Sequence, residues 1–186
     1  PRSEGLLLAL RSWTLGGQHK QAFAILDNGI NSGWLTLDQV LGDELLSPLH
    51  PSIEWQELIQ KLIRFSNGTD PELRKRMATL LERDQYYRQQ MQNIARDKGW
   101  QDPVIKEMHS LQQELDAINL KEIEGIITEV GYPGRSLVGN YSATAIYIIQ
   151  RADLATQGRY LPILEAAAKS HEILRSELAY VVDKIQ

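Results

Sequence analysis

No cysteine occurs in the 186 residues. That excludes disulfides, thiolate metal sites and a cysteine nucleophile, and it leaves the redox compartment open. Long hydrophobic runs are missing too. The stretch Leu6-Leu7-Leu8-Ala9-Leu10 is followed directly by Arg11, whereas a membrane-spanning helix needs about 20 apolar residues. There is no excess of positive charge: 20 Lys and Arg stand against 24 Asp and Glu, a formal net charge of −4. Neutralising a phosphate backbone requires the opposite sign and a basic patch interleaved with aromatics, so nucleic acid is not an expected partner. The densest basic run, Arg74-Lys75-Arg76, reads as a solvated helix face.

Several catalytic and cofactor signatures are absent as well. No glycine-rich phosphate loop and no Gly-Xaa-Ser-Xaa-Gly elbow occurs; Gly131-Tyr132-Pro133-Gly134 puts proline where amide donors would be needed. The histidines His19, His50, His109 and His171 lack metal-ligand spacing, and Asp84, Asp116 and Asp153 are too dispersed for a carboxylate site. Neither a metal nor a cofactor is therefore expected. Ser136 and Ser142 read as a cap and a helix face. Trp13, Trp34, Trp55 and Trp100 read as core or helix-junction anchors.

Alternation with period two, the strand signal, is not sustained anywhere, and nearly every segment has helical periodicity. With 42% hydrophobic and 24% charged residues, the chain has the composition of a globular fold rather than a disordered one. Helices are expected over about 4–15, ended by Gly16-Gly17, and over 19–31, ended by Gly33. Thr36-Leu37-Asp38-Gln39 has capping-box spacing. Pro48 and Pro51 mark a loop, and Ser52 caps a helix over 53–65 with Trp55, Leu58, Ile59, Leu62 and Ile63 on its buried face. Ser66 to Thr69 reads as a boundary. Asp70-Pro71 and Asp102-Pro103 each place an N-cap before a proline at the first helical position, starting long helices that end near Lys98 and Val130. Further helices are expected over 136–150, from Gly158 to about Lys169 with Pro162 in its first turn, and over 176–185.

The resulting expectation is an all-α protein of two parts: residues 1–66, and residues 67–186 built on a long antiparallel helix hairpin. The most telling stretch is Asn119 to Asp153. There a helical run stops at Gly131-Tyr132-Pro133-Gly134, and a second run ends in Gln150-Arg151-Ala152-Asp153. Asp84, Gln85 and Arg88 fall within just over one helical turn, Asp116 and Asn119 are three apart, and so are Gln150 and Asp153. Such spacings place side chains on shared faces. Converging, they would build either a polar pocket or a buried network that fixes helix register.

Two resemblances extend this reading. Gln21 to Ile59, with its Gln-Ala-Phe-Ala-Ile-Leu helix, the glycines that follow and the Trp55-bearing helix, resembles a tetratricopeptide-like terminal unit. From about Leu80 onward, Asp84-Gln85 with Arg88, Asp116, Asn119, Gly131-Tyr132-Pro133, Leu137-Val138-Gly139, Gln150-Arg151-Ala152-Asp153, Ala179 and Asp183-Lys184 resemble, in order, a bacterial domain-of-unknown-function family numbered 6624. That resemblance implies a helical fold and a set of polar positions, Asp183 among them, but no activity. Two departures stand out: the family usually has His where this chain has Arg151, and Arg where it has Lys184.

Two functions follow. The first is a protein-interaction or structural module whose N-terminal helices meet a partner. The second is a small-molecule-binding or hydrolytic domain with a pocket drawn from Asp84, Gln85, Arg88, Asp116, Asn119, Gln150, Arg151, Asp153 and Asp183. The first is preferred at this point, because Arg151 replaces the one residue suited to general-base work near neutral pH and arginine stays protonated. The chain opens at Pro1 without methionine, as expected of a processed or trimmed product. The loss of a leader would put the cell envelope or the exterior among its expected locations.

Overall fold

The structure, a computed structural model, describes residues 2–185, with side chains from residue 3. The described residues are all-α, with no strand among them. Helices α1 (Arg2–Leu15) and α2 (His19–Asn31) pack side by side through a short glycine turn. A short α3 (Leu37–Leu41) begins at Thr36, whose hydroxyl accepts from the Gln39 amide while the Gln39 side chain accepts from the Thr36 amide. Helix α4 (Ile53–Asn67) starts where the Ser52 hydroxyl accepts from the Trp55 amide. The segment read as a loop around Pro48 is instead a 3-10 helix, Glu44–Leu49, capped by Asp43. It buries Leu46 and Leu49, so burial drives this stretch to helical turns despite the proline.

Two 28-residue helices follow, α5 (Pro71–Lys98) and α6 (Pro103–Val130), N-capped by Asp70 and Asp102. They pack against each other. The ion pairs Arg76–Glu129, Arg83–Glu122 and Arg88–Asp116 set an antiparallel register along the hairpin.

The single helix expected over 136–150 is broken into α7 (Arg135–Val138), a 3-10 turn at Gly139–Tyr141 and α8 (Ala143–Ile149). The break lies at Gly139, where φ is +61° and the chain leaves helical space. Helix α9 (Leu154–Lys169) starts a full turn before Gly158, because Asp153 caps it; its carboxylate accepts from the Thr156 amide. Pro162 therefore sits inside α9 rather than in its first turn, at the cost of one backbone hydrogen bond. Helix α10 (Arg175–Ile185) completes the chain. No helix among the described residues is long and apolar enough to cross a membrane.

Buried apolar side chains form two clusters. One gathers residues between Leu10 and Phe65. The other spans Leu73 to Val181 around Met77, Leu80, Ile123, Ile146 and Ile149. Of the tryptophans only Trp55 is buried, and Trp100, at the hairpin tip, is 62% exposed. That corrects the reading of Trp100 as an anchor: a two-helix tip has no third layer to cover an indole.

The clusters meet through Arg135 and two glycines. The buried Arg135 guanidinium lies 4.3 Å from the Phe65 ring centre and donates to the Ile30 and Asn31 carbonyls at 3.1 and 3.2 Å. Burial lowers its pKa from the ordinary arginine value. Gly68 (φ +74°) and Gly139 lie back to back, each where a Cβ would run into the other segment's carbonyl oxygen. The Leu137 carbonyl accepts there from both the Thr69 and Asp70 amides.

Candidate functional site

Helix α5 buries Leu73, Met77, Leu80, Asp84 and Met91. Asp84 thus occupies a core position, seven residues from a methionine on either side, and is 1% exposed. A carboxylate buried this deeply must be paired or hydrogen-bonded. The Gln85 side-chain amide donates to Asp84 Oδ2 at 2.6 Å. Arg88, one turn on, reaches Asp84 Oδ1 at 3.5 Å and holds both oxygens of Asp116 at 2.6 Å. Gln112 of α6 donates to Asp116 at 2.7 Å. Arg151, just past the end of α8, completes the ring, its Nε 3.8 Å from Asp84 Oδ1. Two carboxylates and two guanidiniums balance in formal charge, so the buried layer is close to neutral.

The layer is not fully satisfied. Arg88 Nε, Gln112 Oε1 and both polar atoms of Asn119 are buried without a hydrogen-bond partner, and Asn119 has no exposure at all. The hairpin register places Asn119 at the level of Asp84 to Arg88. Leaving buried polar atoms unpaired costs about 1–3 kcal/mol each. We therefore expect Asn119→Leu to raise stability by about 1–2 kcal/mol in urea titrations. A loss of stability would mean that Asn119 has a partner the protein needs.

On the solvent side of this layer a cavity of about 430 Å³ opens between α5, α8 and α10. Gln85, Gln150 and Arg151 line one part of it, and Tyr147, Ser176, Glu177 and Tyr180 line the rest. The Gln150 backbone is fixed from behind. Gln157 of α9, itself buried, donates to the Gln150 and Ala152 carbonyls at 3.2 and 2.7 Å. Glu177 accepts from the Leu174 amide at 2.8 Å. Burial raises its carboxyl above the ordinary value of 4.5, opposed by the Leu174 amide and Arg135. Burial, with Glu177 second, likewise raises the Tyr147 phenol. Tyr132, whose hydroxyl donates to the Ser142 carbonyl at 2.8 Å, is raised well above its ordinary value by burial first and Glu177 second.

The raised Glu177 carboxyl carries a pH dependence. The native state holds its proton to higher pH than the unfolded chain does, so the contribution to stability is fully present below about 4.5 and is lost as pH rises through the native value. Glu177→Gln should flatten that decline in pH-dependent thermal melts. Parallel curves for the two proteins would contradict the assignment.

Of the nine residues singled out by sequence, Asp84, Gln85, Arg88 and Asp116 come together in the network. Asn119 lies beside it without a hydrogen bond. Gln150 and Arg151 face the cavity together with Gln85. Asp153 does not join them: it is an exposed helix cap, its carboxyl held below the ordinary range by the Thr156 amide and hydroxyl. Asp183 is exposed on α10, beside Lys169 and Arg175 in a different depression. Gln112, Gln157, Tyr147, Glu177 and Tyr180 were missed. For Gln112 a signal existed: Ile105, Gln112, Asn119 and Ile126 recur every seven residues, so the two amides stand where a hairpin seam wants apolar side chains. Among the described residues no group of three His, Asp or Glu side chains is placed to hold a metal ion.

Residues 71–186 match a protein family described as Family of unknown function (DUF6624). No curated protein matches the chain. No solved structure matches it either.

Proposed function

The chain belongs to the DUF6624 family, and from that premise we propose that its C-terminal region is a small-molecule-binding domain whose pocket is the cavity walled by Gln85, Gln150 and Arg151. Family membership assigns no activity, so the reading rests on the site. The observation that carries it is the coupling of a buried Asp84 to residues that open on one cavity. Gln85 and Arg151 both touch the Asp84 carboxylate and both line the cavity. Asp84 thus holds two recognition side chains in place from behind, as a preorganised binding site requires. The cavity has the size of a small-ligand pocket and a few convergent polar groups among aromatic walls.

Arg151 is the main recognition group in this reading. It is partly exposed, and its long contact with Asp84 leaves most of its donors for a ligand. The test is a thermal-shift screen of small carboxylates, amino acids and phosphate monoesters against the wild type and Arg151→Ala. At least one compound should stabilise the wild type and lose its effect in the variant. A wild type that responds to nothing, or a variant that responds equally, would sink the pocket.

The division of the chain at residue 66 belongs to the same proposal. Two hydrophobic clusters falling on either side of it support the division. A second reading, an interaction face on a tetratricopeptide-like N-terminal unit, is favoured by one observation. Leu8 and Leu15, seven apart on one face of α1, are 61% and 64% exposed. Two large apolar side chains on one helix face are a candidate contact surface. An apolar dye should bind this face, and Leu8→Glu with Leu15→Glu should abolish the binding while preserving the melting temperature. Undiminished dye binding would remove this second reading.

A further inference from the structure

The cavity between α5, α8 and α10 carries one formal cation and one formal anion, Arg151 and Glu177. Both have donor or acceptor capacity to spare. Arg151 makes one ion pair, a long one through Nε, and a guanidinium has four further N–H donors on its two terminal nitrogens. Glu177 accepts one backbone amide through Oε2 and forms no ion pair among the described residues. A carboxylate has about four acceptor sites, so one such bond leaves others free; Glu177 lies between this cavity and a second depression lined by Arg135.

This arrangement discriminates by charge. A simple anion gains from Arg151 but meets Glu177 in the same space, and a simple cation meets the reverse. In a partly desolvated cavity like charges repel strongly enough to exclude a wrong ligand. A molecule carrying both charges satisfies both walls. The neutral donors and acceptors of Gln85 and Gln150 can serve either end of it. Tyr147 and Tyr180 add aromatic surface, which takes an apolar group and faces cations favourably.

Building on the ligand-binding reading above, we propose that this cavity binds a zwitterion of the amino-acid class, its carboxylate on Arg151 and its ammonium on Glu177. The two residues come from separate elements, the end of α8 and the first turns of α10. Packing of α10 onto the rest of the domain therefore completes the site. Arg151 suits this role: arginine is a permanent cation whose planar fork matches a carboxylate.

The experiment is calorimetric titration of the full chain with L-phenylalanine and with 6-aminohexanoate, each beside its N-acetylated and its carboxamide derivative. The first derivative keeps only the anion and the second only the cation. At least one zwitterion should bind about tenfold or more tighter than both of its blocked forms. Arg151→Gln and Glu177→Gln should each cost it about tenfold, the glutamate variant without weakening the N-acetylated form. If the N-acetylated compound binds as well as its parent, the cavity is an anion site; the zwitterion assignment is overturned while the ligand-binding reading survives. If neither parent nor derivative binds, the zwitterion assignment falls, and the thermal-shift screen with Arg151→Ala decides separately whether the pocket reading falls with it.

Discussion

Asp84→Ala should cost about 3 kcal/mol of stability, read as a lowered urea midpoint at unchanged m-value. Asp84 sits in the apolar seam of α5 at 1% exposure. Its carboxylate is the common partner of Gln85, Arg88 and Arg151. Removing it strands cationic donors that now face a buried acceptor. Breaking one side of a buried pair typically costs about 3–5 kcal/mol. The lower end applies because Arg88 keeps Asp116 at 2.6 Å and Arg151 is partly exposed. Asp84→Leu combined with Arg88→Met should not recover the loss, because Arg88 also holds both oxygens of Asp116 and its removal strands that carboxylate in turn. A loss below about 1 kcal/mol in the single variant would mean that Asp84 holds nothing in place.

Gly139→Ala should cost more, about 4 kcal/mol or enough to prevent folding at ordinary temperature. Two penalties coincide there. A positive φ of 61° disfavours any L side chain, typically by about 1–2 kcal/mol. The new Cβ would also overlap the Ser66 carbonyl oxygen and the Asn67 carbonyl carbon, which belong to rigid backbone. Gly68 faces the same obstacle from the other side, against the Leu137 carbonyl. Gly99 provides the control. Its φ is +83°, but nothing lies within 4 Å of the Cβ position, so Gly99→Ala should show only the conformational cost of about 1–3 kcal/mol. Equal effects at the two glycines, measured by urea unfolding, would mean that the close approach of α4 to α7 contributes nothing.

Local chemistry was legible in the sequence. Thr36 with Gln39, Ser52, Asp70-Pro71 and Asp102-Pro103 all mark helix starts that the structure has. Each is decided by a few neighbouring residues. Asp84, Gln85 and Arg88 were visible for the same reason, being close together on one helix. What failed depended on distant contacts. The break at Gly139 follows from the approach of Ser66 and Asn67, more than 70 residues earlier, which no periodicity reports. Asp153 was read as a site residue from its place beside Gln150 and Arg151, but the start of α9 claims its carboxylate. Tyr147, Glu177 and Tyr180 became relevant only once α10 was seen to close the cavity against α5 and α8.

The central claim is that Asp84 holds Gln85 and Arg151 in place as walls of a ligand-binding cavity. The most direct measurement is a crystal structure of the protein soaked with the compound that gives the largest thermal shift. The account predicts density in the cavity between α5, α8 and α10, within hydrogen-bonding distance of Arg151 and at least one of Gln85 and Gln150, with the Asp84 contacts intact. Density seated instead on the N-terminal helices, or Arg151 turned out to solvent with the cavity empty, would contradict it.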